Sequence, residues 1–271
     1  MECVRCAGEQ FTKAGTDQER RQIFRCTACG RRQTERSSST FSGYRFPDEI
    51  IALAVRWYLR FRLSYVDLVD LLAERGISVD PSTVFDWVHH FPPIYQEAAR
   101  PHRHRVGCRW SVDETYIRMA GKWVYAYRAM DETGQVIDVS VSERRDTVAA
   151  TAFLTRAMES TMVRPESVTT DKALTYPPAL FAIIPEAEHR IGTMEQQGIE
   201  RDHHHLKGRT RNMRGFQQLR CAPVICEGHA FVRTLHLGFS RLAVPTGTPR
   251  IGQPPRLVRA WDELTACLRA A

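Results

Sequence analysis

Three acidic residues, Asp113, Asp171 and Glu200, stand where acids are least expected. Asp113 lies inside Arg109–Ile117, where Trp110, Val112, Tyr116 and Ile117 read as a strand. Asp171 ends a short β-branched run, Val168-Thr169-Thr170, and Glu200 falls on a helix expected over Thr193–Lys207. A buried carboxylate costs several kcal/mol unless it is paired or binds a metal. Three acids meeting at strand ends and a helix offer the oxygen ligands that divalent cations take. Two such cations can activate a nucleophile and stabilise a leaving oxygen in phosphoryl transfer. The plainer readings are a solvent-facing edge acid at 113 and a turn cap at 171. Glu195 competes with Glu200 but, five residues earlier, faces away from it. If Asp113 is a ligand, Glu114 points to the opposite face of the sheet. Asp131, Asp138, Glu143 and Asp202 read as turn or surface residues.

A second constellation lies at the N-terminus. Cys3-x-x-Cys6 and Cys26-x-x-Cys29 are separated by 19 residues. Each pair aims two thiolates at one point, and two pairs complete a tetrahedral zinc site. Residues 1–36 are too few for an apolar core of their own, so a structural Zn²⁺ supplies the folding energy. Arg20, Arg21, Arg25, Arg31 and Arg32 around the second pair favour DNA as the ribbon's partner. Cys108, Cys221, Cys226 and Cys267 read as ordinary thiols.

The elements that must position these groups follow from the pattern. The 271 residues, 43% of them apolar, suffice for one large domain or two to three small ones. A net charge of +7 favours a polyanionic partner. No run nears the ~18 apolar residues of a membrane span, and the first residues lack a signal-peptide core, so a cytoplasmic, nucleoid-associated protein is expected. Residues 37–45 read as a linker. A helix opens at Pro47-Asp48-Glu49, with Ile50, Leu53, Ala54, Trp57 and Tyr58 as its buried face. Ser64 caps a second helix ending at Gly76, and a third begins near Pro81-Ser82-Thr83. Residues 46–91 thus read as a helix-turn-helix, whose second helix presents Ser82, Thr83 and Asp86 to base edges while Val84, Trp87 and Val88 face the core. A generic three-helix bundle has the same pattern. Residues 92–109 read as a basic, proline-punctuated connector.

From residue 106 to 242 the order is three strands, with turns at Gly121 and Asp131–Gly134, then alternating helix and strand. The helix over Thr147–Ser160 turns Val148, Ala152, Phe153 and Ala157 inward; that over Cys221–Leu242 packs on the sheet. This order is ribonuclease-H-like. The expected fold class is therefore a multidomain α/β chain: a zinc ribbon (1–36), a helix-turn-helix (46–91), a ribonuclease-H-like, retroviral-integrase-like core (106–242), and a linker with a C-terminal helix (243–271). On the Glu200 helix, His203 or His204 and Lys207 share the glutamate's face. Lys207, Arg209, Arg211, Arg214 and Arg220 form a basic run without an acid, suited to phosphate.

The ordered motifs carry a family resemblance. Asp113-Glu114-Thr115-Tyr116-Ile117 with Gly121-Lys122-Trp123, Tyr127-Arg128-Ala129, Ser142–Asp146, Thr170–Ala173, Ile199–His203 and Arg209–Phe216 resemble the DDE transposases. The nearest resemblance is to the IS-six family of bacterial insertion sequences, over about residues 46–238. It implies Asp113, Asp171 and Glu200 as the catalytic triad holding two Mg²⁺ ions, replaceable by Mn²⁺ in vitro. It implies double-stranded DNA as substrate: the terminal inverted repeats are bound and nicked, and the 3′-OH ends are joined to target DNA in replicative transposition. A homodimer or higher oligomer on DNA follows from the need to join two ends. The chain departs from the family in its Asp171–Glu200 interval of 28 residues, several shorter than usual, and in Gln196-Gln197-Gly198 where the family has Asn-Asn. The competing readings are a catalytically silent, sequence-specific DNA-binding regulator and a free-standing nuclease.

Overall fold

The computed structural model describes every residue except 18–19, 193–196, 212–215, 219, 245–253 and 271, and the side chains of residues 197, 201 and 211. Three short strands open the chain: β1 (Phe11–Thr16), β2 (Gln22–Cys26) and β3 (Arg32–Gln33), antiparallel in that order. Gln33 is buried and ties the first knuckle to β3, accepting from Val4 N at 3.0 Å and donating to Glu2 O at 2.8 Å.

Helices α1 (Asp48–Arg60), α2 (Tyr65–Ala73) and α3 (Pro81–Ala99) follow. Ser64 and Asp67 form a reciprocal capping box on α2, and Asp80 caps α3 through Ser82 N. Gly76 takes φ +74° in the connecting turn, a conformation that costs glycine little. The buried centre of α1 is Ile51, Val55, Tyr58 and Leu59, with Ile50, Leu53 and Trp57 on its margin. The face is rotated from the expected one because α1 is packed by α3 on one side and by later helices on the other.

Two segments expected as connectors are structural. Phe41, in the expected linker, is fully buried and stacks on Phe91 at 5.0 Å. Residues 92–99 continue α3 straight through Pro92-Pro93. Each proline removes one helical hydrogen bond, but the extension is held from outside. Tyr95 stacks on Trp261 at 4.3 Å and its hydroxyl bonds Thr265 Oγ1 at 2.7 Å. Arg103, in the expected connector, belongs to the fold: its Nη2 donates to Val136 O and Ile137 O.

The sheet comes next: β4 (Arg109–Met119), β5 (Lys122–Asp131), β6 (Val136–Ser142), α4 (Thr147–Thr161), β7 (Ser167–Thr170), α5 (Tyr176–Ile183) and β8 (Glu188–Ile191). Its strand order is β6-β5-β4-β7-β8, with β4, β5 and β6 antiparallel and β7 and β8 parallel to β4. This is the ribonuclease-H-like sheet. On α4 the buried residues are Ala150, Phe153, Leu154 and Ala157; Val148 and Ala152 are exposed, a rotation towards the α5 interface. Helices α4 and α5 cover one face of the sheet, with Trp110, Val112, Tyr127 and Val168 in that core. Helices α6 (Gln197–Arg211) and α7 (Cys221–Leu237) cover the other. Helix α7 stops at Gly238, φ +91°, and not at Leu242.

The last helix, α8 (Arg256–Ala270), returns to the N-terminal helices, where Trp261 Nε1 donates to Ala52 O at 3.0 Å. One apolar core therefore runs from Phe41 through α1–α3, α6, α7 and the adjoining sheet face to Leu268. Among the described residues no helix is long and apolar enough to cross a membrane.

Candidate active site and metal-binding clusters

The acid site lies where β4 loses its neighbour. Strand β4 pairs with β5 along its length but with β7 only from Arg109 to Ser111. Asp113 thus occupies the open edge just past the pairing, and Asp171 leaves the end of β7 beside it. Helix α6 crosses this edge and carries Glu200, which is exposed. Asp113 feels all of this. Burial first, then the carboxylates of Glu114, Asp171 and Glu200, push its carboxyl up to about 7. A carboxyl so crowded by acids is a site short of positive charge, and an oxygen-only donor set suits a divalent cation.

Glu114 points the other way, as alternation along a strand requires. Its side chain is fully buried, takes a bond from Tyr176 Oη and pairs with Arg145 Nε. The same Arg145 guanidinium reaches Asp171 Oδ2 at 3.3 Å and Tyr116 Oη at 3.4 Å. It wraps the open edge of β4 and links its two faces.

Beneath Asp113 lies a buried ionic group. Arg128 on β5 stands directly across from Asp113 and is 1% exposed. It pairs with Asp202, also buried, and Asp202 pairs in turn with Arg233 of α7. Asp202 is therefore an interior residue and not a surface one, because Arg128 and Arg233 supply the charge that makes its burial tolerable. Asp131 is likewise buried, though in a turn, accepting from Thr133 N, Gln135 N and Gly107 N. His203 is buried with Nδ1 3.5 Å from Asp113 Oδ2. Burial, then Arg128 and Lys207, pull it down to about 3, so it stands neutral behind the carboxylate. A cationic residue within an otherwise apolar strand is the sequence signal for this group; an arginine at 128 has to find an acid.

The expected DNA contacts divide. Ser82 and Asp86 are exposed at the start of α3 and Thr83 is half-buried, while Val84, Trp87 and Val88 lie in the core. His204 and Lys207 are exposed on α6. Arg209 is not available to DNA: it is 2% exposed, its Nε donates to Tyr58 O at 3.0 Å, and its guanidinium lies 4.1 Å from the Tyr58 ring centre. It fastens α6 to α1. Phe216, in the same basic run, is buried and bridges to the β4 edge. The side chain of Arg211 and the whole of Arg214 lie outside the described residues.

The four N-terminal sulfurs meet. Cys3 Sγ is 3.5 Å from Cys29 Sγ, Cys6 Sγ is 3.7 Å from Cys26 Sγ, and all four lie within 4.8 Å of one another. A tetrahedron of Zn–S bonds of ~2.3 Å has S···S edges of ~3.8 Å, so the cluster has the size a zinc ion needs. The Arg5 amide leads the groups that draw Cys3 down to about 6. On Cys6 the Gly8 amide pulls down, but the Cys29 and Cys3 sulfurs together push it up to about 12. Four sulfurs this close can all act as thiolate ligands only with a cation between them.

Comparison with known proteins agrees with this frame. The DDE domain family matches residues 107–238. The transposase for insertion sequence-like element IS431mec of Staphylococcus aureus is 36% identical over 169 residues, 60% of this chain and 75% of that protein. The transposase for insertion sequence element IS257 in transposon Tn4003, also from Staphylococcus aureus, is 35% identical over the same length and shares. Among solved structures, the HTLV-2 integrase catalytic core domain in complex with magnesium is 16% identical, covers 59% of this chain and 97% of that one, and has a TM-score of 0.38. The protein is a polynucleotidyl transferase. More narrowly, the chain belongs to the IS-six family of DDE transposases of bacterial insertion sequences.

Proposed function

We propose that the protein binds the terminal inverted repeats of its element, nicks them, and joins the freed 3′-OH ends to target DNA, with Asp113, Asp171 and Glu200 as the catalytic carboxylates. The observation that carries this reading is the placement of Asp113: a half-buried carboxyl on the edge of β4 that β7 leaves open past Ser111, with Asp171 just beyond the end of β7 and Glu200 on the helix that crosses this edge. These three residues would hold two Mg²⁺ ions, or Mn²⁺ in vitro. When bound, such ions activate the attacking hydroxyl and stabilise the leaving oxygen.

The chain's own groups do the rest. Neutral His203 backs Asp113 without competing for its charge. The Arg128–Asp202–Arg233 group fixes α6 against the sheet and so fixes Glu200. Lys207, about two helical turns beyond Glu200 and exposed, meets a phosphate oxygen, with His204 beside it. Ser82, Thr83 and Asp86 at the start of α3 read base edges. Cys3, Cys6, Cys26 and Cys29 hold a structural Zn²⁺, and the ribbon's exposed Arg25, Arg31 and Arg32 grip the backbone of the repeat. Two ends are joined together, so the working form is at least a dimer, and the outcome is replicative.

The test is strand transfer in vitro with purified protein, Mg²⁺, labelled DNA from the flanks of the gene and a plasmid target. Joined product is expected from the wild type, with at least about a thousandfold less from Asp113→Asn or Asp171→Asn and repeat binding intact. Tight repeat binding by the wild type, with neither nicking nor joining in Mg²⁺ or Mn²⁺, would leave a DNA-binding regulator instead.

A further inference from the structure

One stretch of the sheet is uncovered and aromatic. Glu114 and Tyr127, Tyr116 and Tyr125, and Arg118 and Trp123 are cross-strand partners, so all six side chains share one face of β4 and β5. Tyr127 and Glu114 lie under α4 and α5. Beyond them the face opens: Tyr116 is 45% and Trp123 60% exposed. The rings form a row, with Tyr116 5.2 Å from Tyr125 and 6.4 Å from Trp123. Cations border it. Arg118 stands 5.8 Å from the Trp123 ring centre, Arg145 donates to Tyr116 Oη, and Arg144, next to Arg145, is exposed.

We propose that this aromatic row is a stacking platform for unpaired nucleobases of the DNA strand being processed, a reading that rests on the proposed strand-transfer site. Nothing about folding requires an exposed tryptophan beside two tyrosines. Flat π-faces among cations are what a nucleic-acid strand with splayed bases needs, because bases stack on the rings while arginines meet the phosphates. The row lies on the opposite face of the sheet from Asp113, and Arg145, which touches both Tyr116 and Asp171, joins it to the acid site around the open edge of β4. At ~3.4 Å per residue along β4, Tyr116 lies ~10 Å and the Arg118–Trp123 pair ~17 Å from Asp113. A DNA strand that rounds the open edge of β4 past Arg145 therefore meets the row several nucleotides beyond the reacting phosphodiester. The occupant is a base and not a second protein copy, because cations frame the aromatic surface.

The test uses the full chain without Mg²⁺ and compares a twelve-nucleotide oligothymidylate with an abasic strand carrying the same phosphates. Base-bearing DNA binds the wild type roughly five- to a hundredfold more tightly, and it quenches tryptophan emission. Trp123→Ala reduces that preference to near unity, while Trp123→Phe keeps most of it. Thermal unfolding confirms that both variants are folded, as expected for so exposed a residue. Equal binding of the two strands by the wild type overturns the platform, as does Trp123→Ala with its preference unchanged. These readouts need no catalysis, so an inactive enzyme that still prefers bases fails the transposition reading alone. An active one that does not prefer them fails the platform alone.

Discussion

Around the four cysteines there are three short strands, and residues 1–36 bury only Cys3, Cys26 and Gln33 among those described. Around Asp113 a five-stranded sheet is covered by helices on both faces, and the acid site sits at a break in its hydrogen bonding. Both places crowd groups that repel one another once ionised. In the ribbon nothing but a cation can hold them together, so site and fold are one event. In the catalytic core the apolar layers hold the acids whether or not metal is present, and the strain shows on Asp113 as a raised affinity for a proton. The ribbon buys its structure from its ligand; the core imposes structure on its ligands.

The sharpest way to break this comparison is Cys26→Ser. With three thiols left, the ribbon should lose its zinc and its order, since structural zinc contributes ~10–16 kcal/mol in such small modules. Zinc content per chain should fall from one towards zero and repeat binding should weaken, while the core melts as before. Full zinc content in the variant would remove the ribbon from its side of the comparison.

On the core side, Asp202→Ala removes the carboxylate that pairs with the buried Arg128 and with Arg233. A loss of ~3–5 kcal/mol in unfolding free energy is expected from chemical denaturation. An unchanged stability would mean that α6 is held by its apolar contacts, Ile199 and Leu206, alone.

A smaller pair of changes separates two basic residues of one helix. Arg209→Ala removes a buried bond and a cation–π contact with Tyr58 and should cost ~1–3 kcal/mol of stability. Lys207→Ala should leave stability unchanged and instead lower the salt dependence of DNA binding by about one unit of slope. The reverse assignment would mean that burial on α6 does not divide structure from binding.

These pairs also show what the sequence made legible. The cysteine spacing announces its geometry because the metal alone dictates it. The acids are visible as misfits in apolar runs, and the strand order follows from alternation and turns. A polar helix such as α6 offers no comparable clue. Asp202, His203 and Arg209 look as solvent-loving as His204 and Lys207, and what buries them is the charge on β5 and α7 and the ring of Tyr58 on α1, all far away in sequence. The helix through Pro92-Pro93 was hidden for the same reason: a local rule against proline is overruled by Tyr95 packing on Trp261, 166 residues later.

The smallest effect concerns His229 on α7, buried 7% exposed among the arginines of this core. Burial first, then Arg128, Arg233 and Arg209, hold its imidazole well below the usual histidine range. The folded chain therefore stays neutral at this position where the unfolded chain takes up a proton. Linkage sets the sign: the unfolded state binds more protons below about pH 6.5, so stability is present above that pH and drains away as pH falls. One such group contributes a slope of up to about 1.4 kcal/mol per pH unit on the acid side. His229→Gln lacks it. The variant, whatever it loses in packing at pH 7.5, should gain on the wild type by about 1 kcal/mol between pH 6 and pH 5, read as the difference in unfolding free energies. The opposite-signed titration of Asp113 and that of His203 are common to both proteins and cancel in that difference. A gap independent of pH would mean that His229 accepts a proton in the folded state, and that the interior beside the acid site carries more charge than Asp202 balances.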